Sequence, residues 1–383
     1  MLRIEKHLRL YQTPRFYSAF PAVTRCDGNK LIAAFRRAPN YYGLPGVQPG
    51  EFFHGDITSQ LWAVDSLDNG ETWGNARMVY APPEGASQDA GLFFDSPWLY
   101  LNSFIWSYVP DQAAVELQRL KQDEFLNKNL TWMVPFGTYV MRSPDQGSSW
   151  ETPVMPEPLP GDREVLPGVP ARLHNRGNIC RTSDGRLLLT GQILGFRPEF
   201  HSSVGIYESG DQGRNWRFLT VAADDGGIAV FEEPHLSITP SGKWVVLIRT
   251  HRDRKGKRYE RAELWLTESS DQGKTWTSPR SLHFHAEPAT ALRLRNGRQL
   301  VVYGYRQEPY GVRCRICDAE FQWLDTAAET VIRDDASHID TGYPGICPLG
   351  DDRYLIVYYM NRSDYHGASA IEGTIIKVED QKC

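Results

Sequence analysis

Short runs of apolar residues, each following a tight polar turn, recur along this chain of 383 residues. The runs are rich in β-branched and aromatic residues and too short for helices, which is typical of β-strands. The turns lie at Gly28, Asp95, Gly185, Gly242, Gly297 and Asp352. The last four turns are separated by 57, 55 and 55 residues. This spacing predicts six β-hairpins in a repeating unit.

A second pattern, S-x-D-x-G-x-[TSN]-W, alternates with these hairpins. It occurs four times, at residues 66–73, 143–150, 209–216 and 269–276. Ser and Asp side chains can accept bonds from nearby backbone N–H groups, and Gly tolerates a positive φ, so each copy predicts a turn. The fifth unit keeps only a decayed copy at residues 318–323, and the sixth has none. A motif repeated in this way indicates scaffold rather than an active site.

Together the two patterns describe a unit of four strands that occurs six times. The predicted fold class is all-β, a six-bladed β-propeller of four-stranded antiparallel blades, formed by residues 1–383 as a single domain. We expect the last strand, at residues 370–378, to close the ring. Residues 111–127 are rich in Ala, Leu, Gln, Glu and Lys, and they predict a helical insertion in blade 2.

Composition narrows the possible functions. The net charge is −5, which gives no reason to expect a nucleic-acid partner. No apolar run reaches the length of about 18 residues that a membrane span needs. The first residues lack the apolar core of a signal peptide, so we expect a cytoplasmic protein, or a secreted one if a signal precedes this sequence. The six cysteines are expected to be reduced thiols, nothing calls for a metal or cofactor, and the oligomeric state is not predicted.

Candidate chemistry lies on the face opposite the repeated turns. Because blade strands are antiparallel, each innermost strand begins on the face where the second strand ends. The positions nine residues before the hairpin turns are Ala19, Arg176, Glu233, Pro288 (beside Glu287) and Tyr343. The ends of the second strands and the following loops add Arg36, Arg37, Asp56, Arg249, Arg306 and Arg313. This ring of charged residues and tyrosine predicts a polar pocket at the propeller mouth.

These residues and turns resemble the sialidase superfamily, six-bladed propellers whose turns are known as Asp boxes. The resemblance covers nearly the whole chain. It implies that Tyr343 is a nucleophile paired with Glu233 and that Asp56 is the general acid/base. It also implies that Arg249 and Arg313 belong to a triad that binds the substrate carboxylate, with Arg37 as an auxiliary arginine.

One position departs from the family pattern. The family places the first arginine of the triad at the start of blade 1, where this chain has Ala19. Arg15 or Arg176 is a candidate replacement. The arginines Arg36, Arg176 and Arg306 complete the predicted set of substrate-binding residues.

The resulting hypothesis is a retaining exo-glycosidase for a terminal acidic sugar, sialic acid or a related ulosonic acid. A neutral tyrosine avoids the repulsion that a carboxylate nucleophile would meet beside an anionic substrate. Arginine forks match the carboxylate geometry of such a sugar. The expected partner is therefore a glycan that bears a carboxylate.

Two alternatives remain open from the sequence. One is a polysaccharide lyase or rhamnosidase that acts beside uronic acids through histidine. The candidate histidines are His54, His174, His235 and His338. The other alternative is a propeller that binds glycans without turnover.

Overall fold

The computed structural model describes residues 2–47, 56–120, 126–128, 131–161, 164–174, 176–194, 202–224, 229–253, 262–365 and 367–379. Six antiparallel sheets form the blades of a β-propeller, as the hairpin repeat predicts. None of the helices in these ranges has the length and apolar character to span a bilayer.

The blades follow one another along the chain. Blade 1 comprises Phe16–Arg25, Leu31–Pro39, Gln60–Ser66 and Gly74–Tyr80. Blade 2 comprises Ala86–Ser87, Gly91–Asp95, Trp98–Val109, Trp132–Ser143 and the short Asn127–Lys128. Blade 3 comprises Ile179–Arg181, Leu187–Leu194, Ser202–Ser209 and Arg217–Asp224. Blade 4 comprises Ala229–Ile238, Trp244–Asp253, Glu263–Ser269 and Arg280–His285. Blade 5 comprises Ala289–Arg293, Gln299–Tyr305, Gly311–Cys317 and Glu329–Arg333.

Both ends of the chain contribute to blade 6. Its strands are Gly342–Gly350, Arg353–Asn361, Ser369–Val378 and, outermost, the N-terminal Leu2–Tyr11. The first and last strands pair antiparallel from Leu2 opposite Val378 to Tyr11 opposite Ile371. The predicted closing strand is therefore present, but it is the third strand of its blade and the N-terminus supplies the fourth.

Apolar side chains fill the spaces between neighbouring blades. Between blades 6 and 1, Leu31, Phe35 and Val64 pack against Leu355 and Val357, all of them buried. Strands buried on both faces need nearly continuous apolar sequence, which is why the second strand of each hairpin is the most apolar run in its unit.

The Asp boxes have the local bonding that their sequence predicts. In the box at residues 269–276, the Ser269 hydroxyl accepts from the Gly273 N–H at 2.8 Å, and Asp271 accepts from the Thr275 N–H at 2.9 Å. The Trp276 indole N–H donates back to the Gly273 carbonyl at 3.1 Å. Each turn is thus locked by its own side chains.

The variable residue after the box aspartate links neighbouring blades. Gln146 of blade 2 accepts at its carbonyl from Lys30 of blade 1, at 2.8 Å. Gln212 of blade 3 accepts at its amide oxygen from the Trp98 indole of blade 2, at 3.1 Å. In the decayed box of blade 5, Glu320 takes over this contact by accepting from Ser241 of blade 4 at 2.7 Å. On the Asp-box face these contacts join blade 1 to blade 2, blade 2 to blade 3 and blade 4 to blade 5.

The insertion in blade 2 contains a shorter helix than the sequence predicts. The helix occupies Asp111–Arg119, and Asn127–Lys128 pairs as a strand with Trp132 and Met133. Only Ala114 of the helix is buried, against Val109 and Val134. Leu117 packs partly buried against the same cluster, so the partial apolar face of the helix anchors it to its blade.

The remaining elements are small. Glu164–Leu166 and Val169–Pro170 form a two-stranded ribbon beside blade 3, and Ser363–Tyr365 is a single 3₁₀ turn. None of these small elements contains a predicted site residue.

Candidate active site

The innermost strands of blades 1, 4 and 6 share one irregularity where they reach the pocket face. Each has one extra residue relative to its partner strand. At these bulges Phe20, Glu233 and Tyr343 adopt left-handed backbone angles, with φ of 55°, 47° and 52°, and a proline follows each of them. Such conformations cost roughly 1–3 kcal/mol each and redirect side chains. The three bulges bring these side chains together near the propeller axis.

Tyr343, Glu233 and Arg249 form a buried hydrogen-bonded cluster. The Tyr343 hydroxyl donates to Oε1 of Glu233. Nη1 of Arg249 donates to Oε2 of Glu233 at 2.6 Å and to the Tyr343 hydroxyl oxygen at 2.7 Å. Burial raises the pKa of Tyr343 well above its ordinary value. The positive charge of Arg249 opposes this rise, and the negative charge of Glu233 adds to it. The phenol is therefore neutral, with a carboxylate placed to accept its proton.

Glu287 of blade 5 holds the other arm of Arg249. Nη2 of Arg249 donates to Oε2 of Glu287 at 2.8 Å. Burial alone would raise the pKa of Glu287, but the charges of Arg249 and Arg306 outweigh it and lower the pKa to about 2. Arg249 is thus fixed between two carboxylates, which orients its guanidinium against the tyrosine.

Three guanidinium groups surround the Tyr343 ring. The Cζ atoms of Arg176, Arg249 and Arg306 lie 5.4, 5.7 and 5.3 Å from its centroid. Arg306 donates to Asp340 Oδ1 at 3.2 Å and to the Tyr359 hydroxyl at 3.0 Å. Three guanidinium groups thus flank the tyrosine ring, and two of them, those of Arg249 and Arg306, are paired with carboxylates.

Asp89, on the innermost segment of blade 2, is a further pocket residue that the sequence did not indicate. It is 5% exposed, and its Oδ2 atom has no hydrogen-bond partner within the described residues. Burial and the charge of Glu233 raise its pKa to about 8, against the opposing effect of Arg176, Arg36 and Arg249.

The hairpin of blade 2 explains why the sequence spacing did not indicate Asp89. Its turn is reduced to Ser96 and Pro97 between the paired residues Asp95 and Trp98, so the spacing that located the other positions does not apply. Counting nine residues back from Trp98, the first residue after the turn, reaches Asp89.

Asp56 and Arg36 lie together on the blade 1 side. Asp56 is buried and accepts from the backbone N–H and the hydroxyl of Thr58, both at 2.7 Å, and from the Tyr41 hydroxyl. Arg36 is fully buried and donates to Ser59 at 3.0 Å. Burial lowers the pKa of Arg36, while the charges of Asp56 and Asp89 oppose that effect. Arg36 thus connects Asp56 electrostatically to the central cluster.

Two predicted arginines point elsewhere, which corrects the expectation for them. Arg37 stacks on Trp62 and Phe16, with its Cζ atom 3.2 and 3.9 Å from their ring centroids, because alternate residues of a strand face opposite sides. Arg313 lies within blade 5, where it donates to the backbone carbonyls of Arg333 at 2.5 Å and Pro309 at 3.1 Å. Arg36 and Arg306 are the arginines that face the pocket instead.

The missing arginine at position 19 has a structural counterpart. Ala19 is completely buried, and the ring of the next residue, Phe20, lies 4.7 Å from the Tyr343 ring and 5.2 Å from the Tyr359 ring. At this position the pocket therefore has an aromatic ring in place of a guanidinium, and the Cζ atom of Arg36 lies 5.8 Å from the Phe20 centroid.

The described candidate histidines are engaged in packing or backbone contacts. His174 lies between the rings of Phe104 and Trp106, and burial lowers its pKa to about 3. His235 contacts the Ala291 carbonyl at 3.1 Å, and burial lowers its pKa to about 4. His338 accepts the backbone N–H of Asp340 at 3.1 Å. His54 lies outside the described residues.

A cavity of about 530 Å³ extends along the propeller axis behind the pocket. Its wall consists of the innermost strands, with small residues such as Gly177, Ala90 and Gly345, and Arg176 and Glu233 are among its lining residues. Because Glu233 also binds Tyr343, the cavity and the pocket meet at this level.

Comparison with protein-family models matches residues 125–322 to the BNR repeat-like domain. Comparison with curated protein sequences finds no match. A protein of unknown function from Dyadobacter fermentans DSM 18053 has a similar solved structure, with 30% sequence identity, a TM-score of 0.86, and 99% of each chain covered.

Sialidases share the fold at lower identity. The Hadza microbial sialidase Hz136 has 15% identity and a TM-score of 0.63, and the match covers 94% of this chain and 66% of the sialidase. A Trypanosoma rangeli sialidase, described as a covalent intermediate with 2,3-difluorosialic acid, has 16% identity and a TM-score of 0.59. That match covers 94% of this chain and 54% of the sialidase. The chain thus spans two thirds or less of these sialidases.

Proposed function

Because the chain belongs to the BNR repeat-like domain family and its propeller is that of the sialidase superfamily, we propose that it is a retaining exo-glycoside hydrolase for a terminal acidic sugar. The substrate class is sialic acid or a related ulosonic acid. The observation that carries the proposal is the buried cluster in which the Tyr343 hydroxyl donates to Glu233 and accepts from Arg249.

In the first step Tyr343 is the nucleophile. Its hydroxyl oxygen forms a bond to the anomeric carbon while Glu233 takes the phenol proton. Asp56, in its protonated form, gives a proton to the leaving oxygen as the glycosidic bond breaks. The product of this step is a sugar bonded to Tyr343 and a free alcohol.

The second step reverses these roles. Asp56 takes a proton from water, and the water oxygen bonds to the anomeric carbon as the bond to Tyr343 breaks. Glu233 returns its proton to the tyrosine oxygen. Two displacements at one carbon retain the anomeric configuration.

The charges around Tyr343 support an anionic substrate. Arg249 and Arg306 flank the tyrosine and can attract a carboxylate beside the anomeric carbon. The neutral phenol does not repel that carboxylate, whereas an ionised carboxylate nucleophile would. The covalent intermediate described for the Trypanosoma rangeli sialidase is an analogy for the step through Tyr343.

A panel of aryl glycosides of sialic, related ulosonic and uronic acids tests the proposal. We expect release of the aryl group from the sialic or ulosonic acid glycosides, with retention at the anomeric carbon followed by proton NMR. Incubation with a 2,3-difluoro sugar acid should add the mass of one sugar to a peptide that contains Tyr343.

Other outcomes would replace the proposal. An unsaturated uronate that absorbs in the near ultraviolet would indicate the lyase alternative. Binding of glycans without turnover across the panel would indicate a glycan-binding propeller.

A further inference from the structure

The proposed reaction assigns no role to Arg176, although this residue lies beside Tyr343. It comes from the start of blade 3, yet its Nη2 atom donates to the Pro344 carbonyl of blade 6 at 3.1 Å and to the Pro21 carbonyl of blade 1 at 3.2 Å. Blade 6 lies directly across the ring from blade 3. The side chain therefore spans the propeller axis.

The two carbonyls that it binds belong to the prolines of two strained bulges. Pro21 follows Phe20 and Pro344 follows Tyr343, and both of these preceding residues have left-handed backbone angles. A residue before proline is already restricted, and a positive φ adds strain that the surroundings must hold in place. Arg176 ties both bulges to one rigid guanidinium plane.

Arg176 also contacts both the axial cavity and the Tyr343 cluster. It lines that cavity together with Glu233, while its Cζ atom lies 5.4 Å from the centroid of the Tyr343 ring. Residues Pro21 and Pro344 follow the pocket residues along their strands, so the guanidinium lies on the cavity side of the tyrosine.

We propose that Arg176 is a positioning residue that holds the Phe20 and Tyr343 bulges in register and closes the pocket against the axial cavity. It acts on the reaction through Tyr343 and does not grip the substrate. This differs from the substrate-binding role that the sequence suggests for it. The inference rests on the proposed function only for its kinetic test.

The kinetic test compares Arg176→Met and Arg176→Lys with the unaltered protein. Loss of both carbonyl contacts misplaces the tyrosine, so we expect Arg176→Met to lower kcat by roughly 10- to 100-fold. KM should change little, because the guanidinium does not touch the substrate. Arg176→Lys keeps the charge but cannot bridge both carbonyls with a planar fork, so its kcat should lie between the two.

A matched control is Arg172→Met. Arg172 also donates to backbone carbonyls, those of Pro156 at 3.1 Å and Pro170 at 3.3 Å, but its described contacts lie outside the pocket. Its kcat should remain that of the unaltered protein. An increase in KM with unchanged kcat in Arg176→Met would overturn the inference, because that pattern belongs to a substrate-binding arginine.

A second readout requires no turnover. The charges that act on Asp89 are those of Glu233, Arg176, Arg36 and Arg249, and Arg176 favours the ionised form. Carbon-13 NMR titration of labelled aspartate, with the Asp89 signal assigned through Asp89→Asn, should give a higher pKa in Arg176→Met. Arg176→Lys should restore the value, because lysine keeps the positive charge, and this would place the residue-176 side chain beside Asp89.

Failure of the proposed function and failure of this inference are distinguishable. If no acidic sugar is hydrolysed, the titration and a crystal structure of Arg176→Met still decide the role of Arg176. We expect that structure to show the Tyr343 hydroxyl displaced from Glu233. An unchanged Tyr343–Glu233 bond in that structure would overturn the inference.

Discussion

The hydroxyl of Tyr343 donates to the carboxylate of Glu233, although 110 residues separate them and they belong to blades 6 and 4. Both residues are buried and both have strained backbone angles. Strain of this kind persists only where surrounding contacts enforce it, and it concentrates at functional sites. The pair is therefore the first target for mutation.

We expect Tyr343→Phe to lower kcat for the acidic glycoside by at least about 1,000-fold, because it removes the proposed nucleophile. Glu233→Gln should cause a similar loss, since it removes the group that accepts the phenol proton. Because the two residues act as one unit, the double variant should be no worse than either single variant. Additive losses in kcat would contradict a shared role, and thermal unfolding should verify that all three variants fold.

The proposed role of Asp56 as general acid predicts that the effect of its substitution depends on the leaving group. Asp56→Asn should lower kcat/KM by about 10²- to 10⁴-fold for alkyl glycosides, which need a proton on the departing oxygen. Aryl glycosides with acidic phenols should lose much less. Asp68→Asn, in the first Asp box on the opposite face, is the control and should leave both rates unchanged. Equal losses for both substrate classes would remove Asp56 from the role of acid.

Asp89 predicts a pH-dependent effect on stability. Its pKa in the folded protein is raised to about 8, so the folded state keeps a proton that the unfolded chain loses near pH 4. The stability contribution of this carboxyl therefore falls as the pH rises from about 4 to about 8. Asp89→Asn removes this dependence. The Tm difference between Asp89→Asn and the unaltered protein should rise by about 2 °C or more between pH 5 and pH 8.

Asp68, the aspartate of the first Asp box, predicts the opposite change of stability with pH. Three hydrogen-bonding contacts from Thr72 and Ser66 lower the pKa of Asp68 to about 2. Its contribution is present above the unfolded pKa near 4 and is lost as the pH falls towards 2. Asp68→Asn should therefore lower the Tm at pH 7, and the loss should shrink below pH 3. A parallel shift for Asp68→Asn and Asp89→Asn would contradict both assignments.

A comparison of two glycines with nearly the same φ can distinguish the cost of backbone strain from the cost of a steric clash. Gly242 and Gly273 have φ of 84° and 83°, but an added Cβ meets nothing within 4 Å at Gly242 and meets Trp244 Cζ3 at 2.8 Å at Gly273. Gly242→Ala should cost about 1 kcal/mol of unfolding free energy. Gly273→Ala should cost a further ~1–3 kcal/mol because it overpacks the blade interface.

Denaturant unfolding measures the unfolding free energy of both glycine variants. Since the two turns lie on the face away from the pocket, kcat/KM should be unchanged in each. Equal costs for the two substitutions would show that the interface yields to the added methyl group.

The propeller could be predicted because its determinants are local. A turn such as that at residues 269–276 closes through its own Ser269, Asp271 and Thr275 side chains, so the sequence alone specifies it. Repetition then fixes the number of blades. The N-terminal strand was not predicted as the outer strand of blade 6, because it follows no hairpin turn and its partner lies at the far end of the chain.

The pocket was only partly predictable, because its geometry depends on bulges and on strand faces. The nine-residue spacing located Glu233 and Tyr343, which the structure brings together. The adjacent arginines Arg36 and Arg37 face opposite sides of one strand, and their spacing alone could not say which one meets the pocket. In blade 5, Arg306 reaches Tyr343 and Arg313 binds a backbone carbonyl within the blade, and the sequence could not distinguish these two positions.

The pairing of Leu2–Tyr11 with Ser369–Val378 has a consequence for synthesis of the chain. During translation the first strand leaves the ribosome long before its partner exists, so blade 6 cannot form until the last strand has emerged. Tyr343 belongs to that blade, whereas Glu233 belongs to blade 4. The pocket therefore cannot be complete until residues 369–378 have been synthesised, because the strand that seals the ring belongs to the blade that carries Tyr343.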